Sequence, residues 1–221
     1  MRNLEKELRQ GVLDLSLDLS DVQISHLLDY LELIQKWTKV YNLTSVRDPA
    51  EMLTHHLLDS LAVITPLRRQ LSEMNAAAPV PKAKLLDVGS GAGLPGIVIA
   101  ICCPEVAVDC VDTVAKKAAF IKQVAATLRL PNLRGLHARV ESLTNKYDVI
   151  SSRAFASLLD FTNWSVAALA EQGVWMAMKG KHPAEEIAVL PQDVKVFHVE
   201  QLTVPGLDAE RCILWLRKVA D

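Results

Sequence analysis

The chain has 221 residues, 50% of them hydrophobic and 23% charged, and a formal net charge of −2 at pH 7. These values exclude a disordered chain and exclude nucleic-acid binding driven by bulk positive charge, so any RNA contact must come from local basic patches. No apolar run reaches the roughly 20 residues of a bilayer span, which predicts a soluble protein with one main domain and no membrane partner.

The opening MRNLEKELRQ runs into acidic amphipathic sequence and lacks the apolar stretch and cleavage site of a signal peptide, which predicts a cytoplasmic location. Ser20-Asp21-Val22-Gln23 is an S-x-x-Q capping box, and Ile24, Leu27, Leu28, Leu31 and Ile34 recur at helical spacing, predicting an amphipathic helix to about Lys39. The loop YNLTSVR follows. A second helix start lies at Asp48-Pro49-Ala50-Glu51, with Asp48 as N-cap and Pro49 at the first helical position, ahead of Leu53, Leu57, Leu61 and Ile64. The stretch MNAAAPVPKA from Met74 has no periodicity and two prolines. The expected organisation is a helical extension over 1–74, a connector over 75–83 and a core over 84–221.

In the core, apolar strand-like runs alternate with helical patterns. KLLDV precedes a helix from Pro95 to before Pro104; VAVDCVD precedes a helix over Ala115 to Leu130; NLRGLHA and YDVISS follow, then a helix over Ser157 to Glu171, then GVWMAMK, DVKVFHVEQL and RCILWLRK. This order predicts an α/β fold, a mostly parallel sheet with helices on both faces and a strand pair at its end. Cys102, Cys103, Cys110 and Cys212 show neither C-x-x-C spacing nor a histidine cluster, so no metal and no disulfide are expected.

The stretch LLDVGSGAGLPG, Leu85 to Gly96, carries two overlapping patterns. G-A-G-L-P-G from Gly91 fits the dinucleotide fingerprint, and D-V-G-S-G-A-G from Asp87 fits an adenosyl cofactor. A strand entering glycines and then a helix lets backbone approach a ligand closely, with free N–H groups facing it. Asp87 favours the adenosyl reading, because a carboxylate at the strand end meets a cationic ammonium but repels a pyrophosphate. Asp112 ends the next strand nineteen residues beyond Gly93, where an acid binds ribose hydroxyls in either cofactor. Val140 and Glu141 follow the third strand, where an adenine edge would lie, and Arg153 follows the fourth, at the switch point of such a sheet.

Together these residues resemble the small-subunit ribosomal RNA methyltransferase G family, also called glucose-inhibited division protein B. The resemblance runs nearly end to end, through YNLTSVRDP (Tyr41 to Pro49), HHLLDSL (His55 to Leu61), DVGSGAGLPGI (Asp87 to Ile97), D-x-x-x-K-K-x-x-F-I (Asp112 to Ile121), RVES (Arg139 to Ser142), SRAFASL (Ser152 to Leu158), KG (Lys179-Gly180) and PGLDAER (Pro205 to Arg211). Thr38 and Thr113 depart from it, where Asn and Ser are usual. The resemblance implies a class I, Rossmann-like methyltransferase that moves the methyl of S-adenosylmethionine to N7 of a guanosine in the 530 loop of 16S ribosomal RNA. By the family pattern the cofactor contacts Gly89, Leu94, Val140, Glu141 and Arg153; Asp87, Gly91, Gly93 and Asp112 join them on the local reading.

Guanine N7 carries its own lone pair, so no general base is expected, and Arg153 is the expected positioning residue. Consistently, no N/D-P-P-Y/F motif, the mark of exocyclic amine methylation, follows the fourth strand. Phe155 and Tyr41 are candidates for stabilising the cationic product through their π faces. Arg47, His56, Lys179, Lys181 and Arg211 are candidate contacts to the RNA of the small ribosomal subunit. Lys116, Lys117 and Lys122 read as a solvated helix face. A monomer is expected. Three rival readings differ in class. A nicotinamide oxidoreductase leaves Asp87 and SRAFA unexplained; a small-molecule methyltransferase shares the cofactor site; a cofactor-sensing module binds without turnover.

Overall fold

A computed structural model describes residues 2–77 and 82–219. Helix α1 (Arg2–Asp14) leads to α2 (Asp21–Tyr41), whose start has the expected reciprocal cap between Ser20 and Gln23. The second predicted helix is broken. After α3 (Pro49–Met52), capped by Asp48, the chain takes a π-helical turn over Leu53–Leu58, then α4 (Asp59–Leu61) and α5 (Ile64–Ala77). Such widened turns recur at functional sites because they shift side chains out of the α-helical register. Helix α5 continues to Ala77, inside the stretch expected to be a connector; residues 78–81 of that stretch lie outside the described residues.

The remaining elements are β1 (Lys84–Val88), α6 (Gly96–Cys102), β2 (Ala107–Asp112), α7 (Ala115–Thr127), β3 (Leu133–His137), β4 (Tyr147–Arg153), α8 (Leu158–Ser165), β5 (Leu169–Lys179), α9 (Ala184–Ala188), β6 (Val194–Leu202) and β7 (Arg211–Lys218). They form one sheet in the order β3-β2-β1-β4-β5-β7-β6, parallel throughout except for β7, which runs antiparallel to both neighbours. One expected boundary moves. The helical pattern from Ser157 to Glu171 ends at Ser165, because Leu169 pairs with Tyr147 and β5 claims the residues that follow. Local helix propensity yields there to a strand ladder.

Neighbouring residues along each strand serve opposite faces, as the two-residue period requires. Leu85, Val149, Met176 and Trp215 join the core beneath α2, α5, α6 and α7, whereas Leu86, Ile150, Trp175 and Leu214 join the one beneath α8. Mid-strand Asp109 is buried, with its charge met by Arg134 at 2.7 and 2.6 Å and by the Tyr147 hydroxyl at 2.7 Å.

The N-terminal helices are fastened to the glycine loop and its helix. The buried Tyr30 hydroxyl donates to the Ala92 carbonyl at 2.7 Å, and the Gln23 amide donates to the Ile101 and Cys102 carbonyls at the end of α6. Tyr30→Phe leaves that carbonyl unsatisfied in the interior, an expected cost of about 1–3 kcal/mol. Thermal denaturation should show a lowered Tm, by roughly 2–4 °C per kcal/mol for a chain of this length. An unchanged Tm would sink the assignment of this bond.

Candidate active site

The carboxyl ends of β1 and β4 part to opposite sides of the sheet order, the position where α/β folds bind ligands. Two clefts open there, of about 450 and 650 Å³. Gly89 and Ala154 line both, so the clefts meet at the first loop glycine and at the residue after Arg153. Gly89 has φ +64°, and an added Cβ would run into the Phe155 ring. Ala154 also takes a left-handed φ of +49°, a conformation that costs a non-glycine residue energy and clusters at functional sites.

The loop between β1 and α6 is held from below. The Gly89 and Ser90 amides donate to the Val111 carbonyl, and the Gly93 amide donates to the Ser90 carbonyl at 2.7 Å. Asp87 is fully buried: Oδ2 accepts from the Gly96 amide at 3.1 Å and Oδ1 from the Ser151 hydroxyl at 2.8 Å. Burial raises its pKa from 3.8 to about 7, against the opposing pull of those two donors and of Arg153. Asp87 lines neither cleft, and the ammonium expected to meet it finds both oxygens already engaged. Its position ties the loop to the sheet.

The larger cleft is lined by Asp112, Val140, Glu141, Phe155 and Trp164. The Asp112 carboxylate accepts from the Gly91 amide at 3.0 Å and the Val114 amide at 2.8 Å, with Lys117 at 3.6 Å. Glu141 pairs with Arg139 at 3.0 Å, and its own backbone amide and Arg139 hold its pKa below the usual carboxylate range. Phe155 and Trp164 meet edge to face at 5.8 Å and are both partly exposed.

The smaller cleft gathers Gly91, Leu94, His56, Arg153, Lys179 and Arg211. Gly93 and Arg47 line neither cleft. Several expected RNA contacts are engaged elsewhere. Arg47 donates to the Thr38 carbonyl at 3.0 Å and to Asn42 at 2.6 Å, completing the end of α2. His56 is buried with Nε2 at 2.9 Å from the Thr44 hydroxyl, and burial together with the Arg153 charge lowers its pKa to about 4, so at neutral pH it offers a phosphate no charge. Lys179 spans both oxygens of Glu186, at 3.0 and 2.8 Å, and reaches the Ala156 carbonyl. Tyr41 is exposed but packs at a tilt against Trp37, ring centroids 5.0 Å apart, and lines neither cleft.

Sequence reasoning passed over Asp59. Its carboxylate is buried in the smaller cleft, where Arg153 and Arg211 each donate to one oxygen at 2.8 Å. The available signal was a carboxylate in the apolar run LLDSL, which needs a partner when buried. Ser151, the partner of Asp87, carried no such signal.

The strand order, with its antiparallel β7 and its two clefts at the β1/β4 switch point, defines a class I S-adenosylmethionine-dependent methyltransferase fold. Solved structures agree. TrmN from Thermus thermophilus superposes with a TM-score of 0.55 at 19% identity over 76% of this chain and 53% of that one. A SAM dependent methyltransferase from Aquifex aeolicus does so at 0.52 and 17% identity, over 78% and 99%. Residues 23–214 match the family model of the rRNA small subunit methyltransferase G, and the chain belongs to that family. It is 71% identical, over the whole of both chains, to the "Ribosomal RNA small subunit methyltransferase G" of Albidiferax ferrireducens.

Proposed function

We propose that the protein transfers a methyl group from S-adenosylmethionine to N7 of a guanosine in the 530 loop of 16S ribosomal RNA, with the small ribosomal subunit as partner. The carrying observation is the pair of clefts joined at Gly89 and Ala154, one lined by Asp112, Val140 and Glu141 and the other by Arg153 and Arg211. The residues present suit the cofactor. Gly89 and Gly91 have left-handed backbone and no side chain, which permits close approach of a ligand to the loop amides. Asp112 and Glu141 supply acceptors for ribose hydroxyls and an adenine amine, Val140 an apolar wall, and Leu94 borders the other cleft.

When bound, the cofactor supplies an electrophilic methyl on a sulfonium. The task of the protein is then orientation, which in well-ordered systems contributes up to roughly 7–11 kcal/mol to lowering a barrier. Arg153 offers the fitting side chain, anchored at the strand end by Asp59 and the His55 carbonyl through Nη1 alone. A 16S RNA substrate places the enzyme in the cytoplasm, and no helix among the described residues is long and apolar enough to cross a membrane. We take it to act as a monomer, which light scattering checks.

The test is transfer of labelled methyl to small subunits from cells lacking this gene, with the modified nucleotide mapped by nuclease digestion and mass spectrometry. A single N7-methylguanosine in the 530 loop is expected. No transfer to competent subunits, with methylation of a metabolite instead, would overturn the reading. Arg153→Ala should lower transfer at least ~10-fold in protein assayed well below its Tm, with a lowered Tm beside it, because Arg211 reaches only Oδ1 of Asp59 and the buried Oδ2 loses its donor. Wild-type turnover in that variant would remove Arg153 from the site.

A further inference from the structure

Asp59 stands at the start of α4, directly after the π-helical turn, and is 3% exposed. Its Oδ2 accepts from Arg153 Nη1 at 2.8 Å and its Oδ1 from Arg211 Nε at 2.8 Å. The two arginines belong to strands that are not neighbours, Arg153 ending β4 and Arg211 opening β7, with β5 between them. One carboxylate from the N-terminal helices therefore spans the edge of the sheet. The other positive group at this rim, Lys179, has its own carboxylate in Glu186.

The bonding is one-sided. Arg153 uses Nη1 for both Asp59 and the His55 carbonyl; Arg211 uses Nε for Asp59 and Nη1 for the Glu210 carbonyl. Among the described residues, Arg153 Nε and Nη2 and Arg211 Nη2 have no protein acceptor. Both side chains line the smaller cleft. A planar guanidinium held by two acceptors, at Nη1 in Arg153 and at Nε and Nη1 in Arg211, presents its remaining donors in a restricted direction, which is what recognition of a carboxylate, phosphate or base carbonyl requires. Without a carboxylate between them, two guanidinium groups this close repel each other.

We propose that Asp59 is a positioning residue for methyl transfer, acting through Arg153 and Arg211 by holding their unbonded donors in the cleft. It does not itself touch the substrate. The inference rests on the proposed reading of this cleft as the place where base and methyl donor meet.

The test is a pair of double-mutant cycles on the full chain with small subunits as substrate, measuring kcat/KM and Tm. Asp59→Asn, close in shape but uncharged, should lower kcat/KM at least ~10-fold, because breaking a buried ion pair leaves like charges uncompensated. Combined with Arg153→Ala or Arg211→Ala, its loss should fall short of the product of the single losses by ~10-fold or more, the mark of residues acting as a unit. A merely structural role would show the coupling in Tm alone, with kcat/KM of the folded variants below their Tm near wild type, and that result overturns the proposal. So does wild-type kcat/KM in Asp59→Asn. Should Asp59→Asn fail to fold, Asp59→Glu, which keeps the charge but moves it, takes its place in the same cycles. Inactive wild-type protein would strike the proposed reaction; active wild type beside an equally active Asp59 variant strikes only this inference.

Discussion

Gly89→Val should abolish binding of S-adenosylmethionine while leaving a folded protein. The loss has two physical sources. At φ +64° a β-branched residue is strained, by about 1–2 kcal/mol from the left-handed backbone alone. Its Cβ also enters the Phe155 ring, so ring or loop must shift at the point common to both clefts. The second source is the ligand, whose approach to the loop amides needs the space that the side chain fills. Calorimetry on Gly89→Val and on Gly89→Val/Phe155→Ala separates them. Removing the ring should recover part of the lost Tm, but the double variant should bind far more weakly than Phe155→Ala alone. Wild-type affinity in Gly89→Val would falsify the placement of the cofactor against this loop.

Cofactor affinity should rise with pH through about 7, and Asp87→Asn should flatten the rise. The Asp87 pKa is raised by burial to about 7 from 3.8, so near neutrality its carboxyl is partly protonated in the free protein. A cationic ligand nearby favours the ionised form, so binding lowers this pKa and releases a proton. With a free-protein pKa near 7 and Asp87 set beneath the loop outside both clefts, affinity should climb about two- to three-fold between pH 6 and 7.5, a window that ends below the usual α-amino pKa of about 7.7–8.0. His56, near 4, does not titrate there. The sign for stability is opposite. A folded pKa above the unfolded one gives a contribution fully present below about 4 and lost as pH rises through about 7, so the stability of wild type relative to Asp87→Asn should fall across that range. Heats of binding that do not depend on the buffer's ionisation enthalpy at pH 7, with a flat affinity profile, would show that Asp87 does not feel the ligand.

The cap at Ser20, the cap at Asp48, the strand over Leu85 to Val88 and the glycine turn after it are all readable from short-range pattern, because capping, periodicity and left-handed backbone are properties of a few consecutive residues. Asp112, Val140, Glu141 and Arg153 follow from the same logic: strand ends in a parallel sheet converge on one edge, and all four line the clefts there. Boundaries set by partners were less readable. The register of β5 depends on Tyr147, the widened turn over Leu53–Leu58 breaks an otherwise regular helical pattern, and α5 continues into a stretch whose composition suggested a connector.

Sequence alone thus determined the order of elements, the loop and the edge of the sheet where the clefts open. Tertiary structure decided which charges are available there. Arg47 completes a helix end, Lys179 faces Glu186, His56 is neutral, Asp87 lies beneath its loop, and Asp59 joins arginines 94 and 152 residues further along the chain. A side chain's ionisation and direction are set by burial and by neighbours that the fold brings from far along the chain, and short-range pattern carries no record of either.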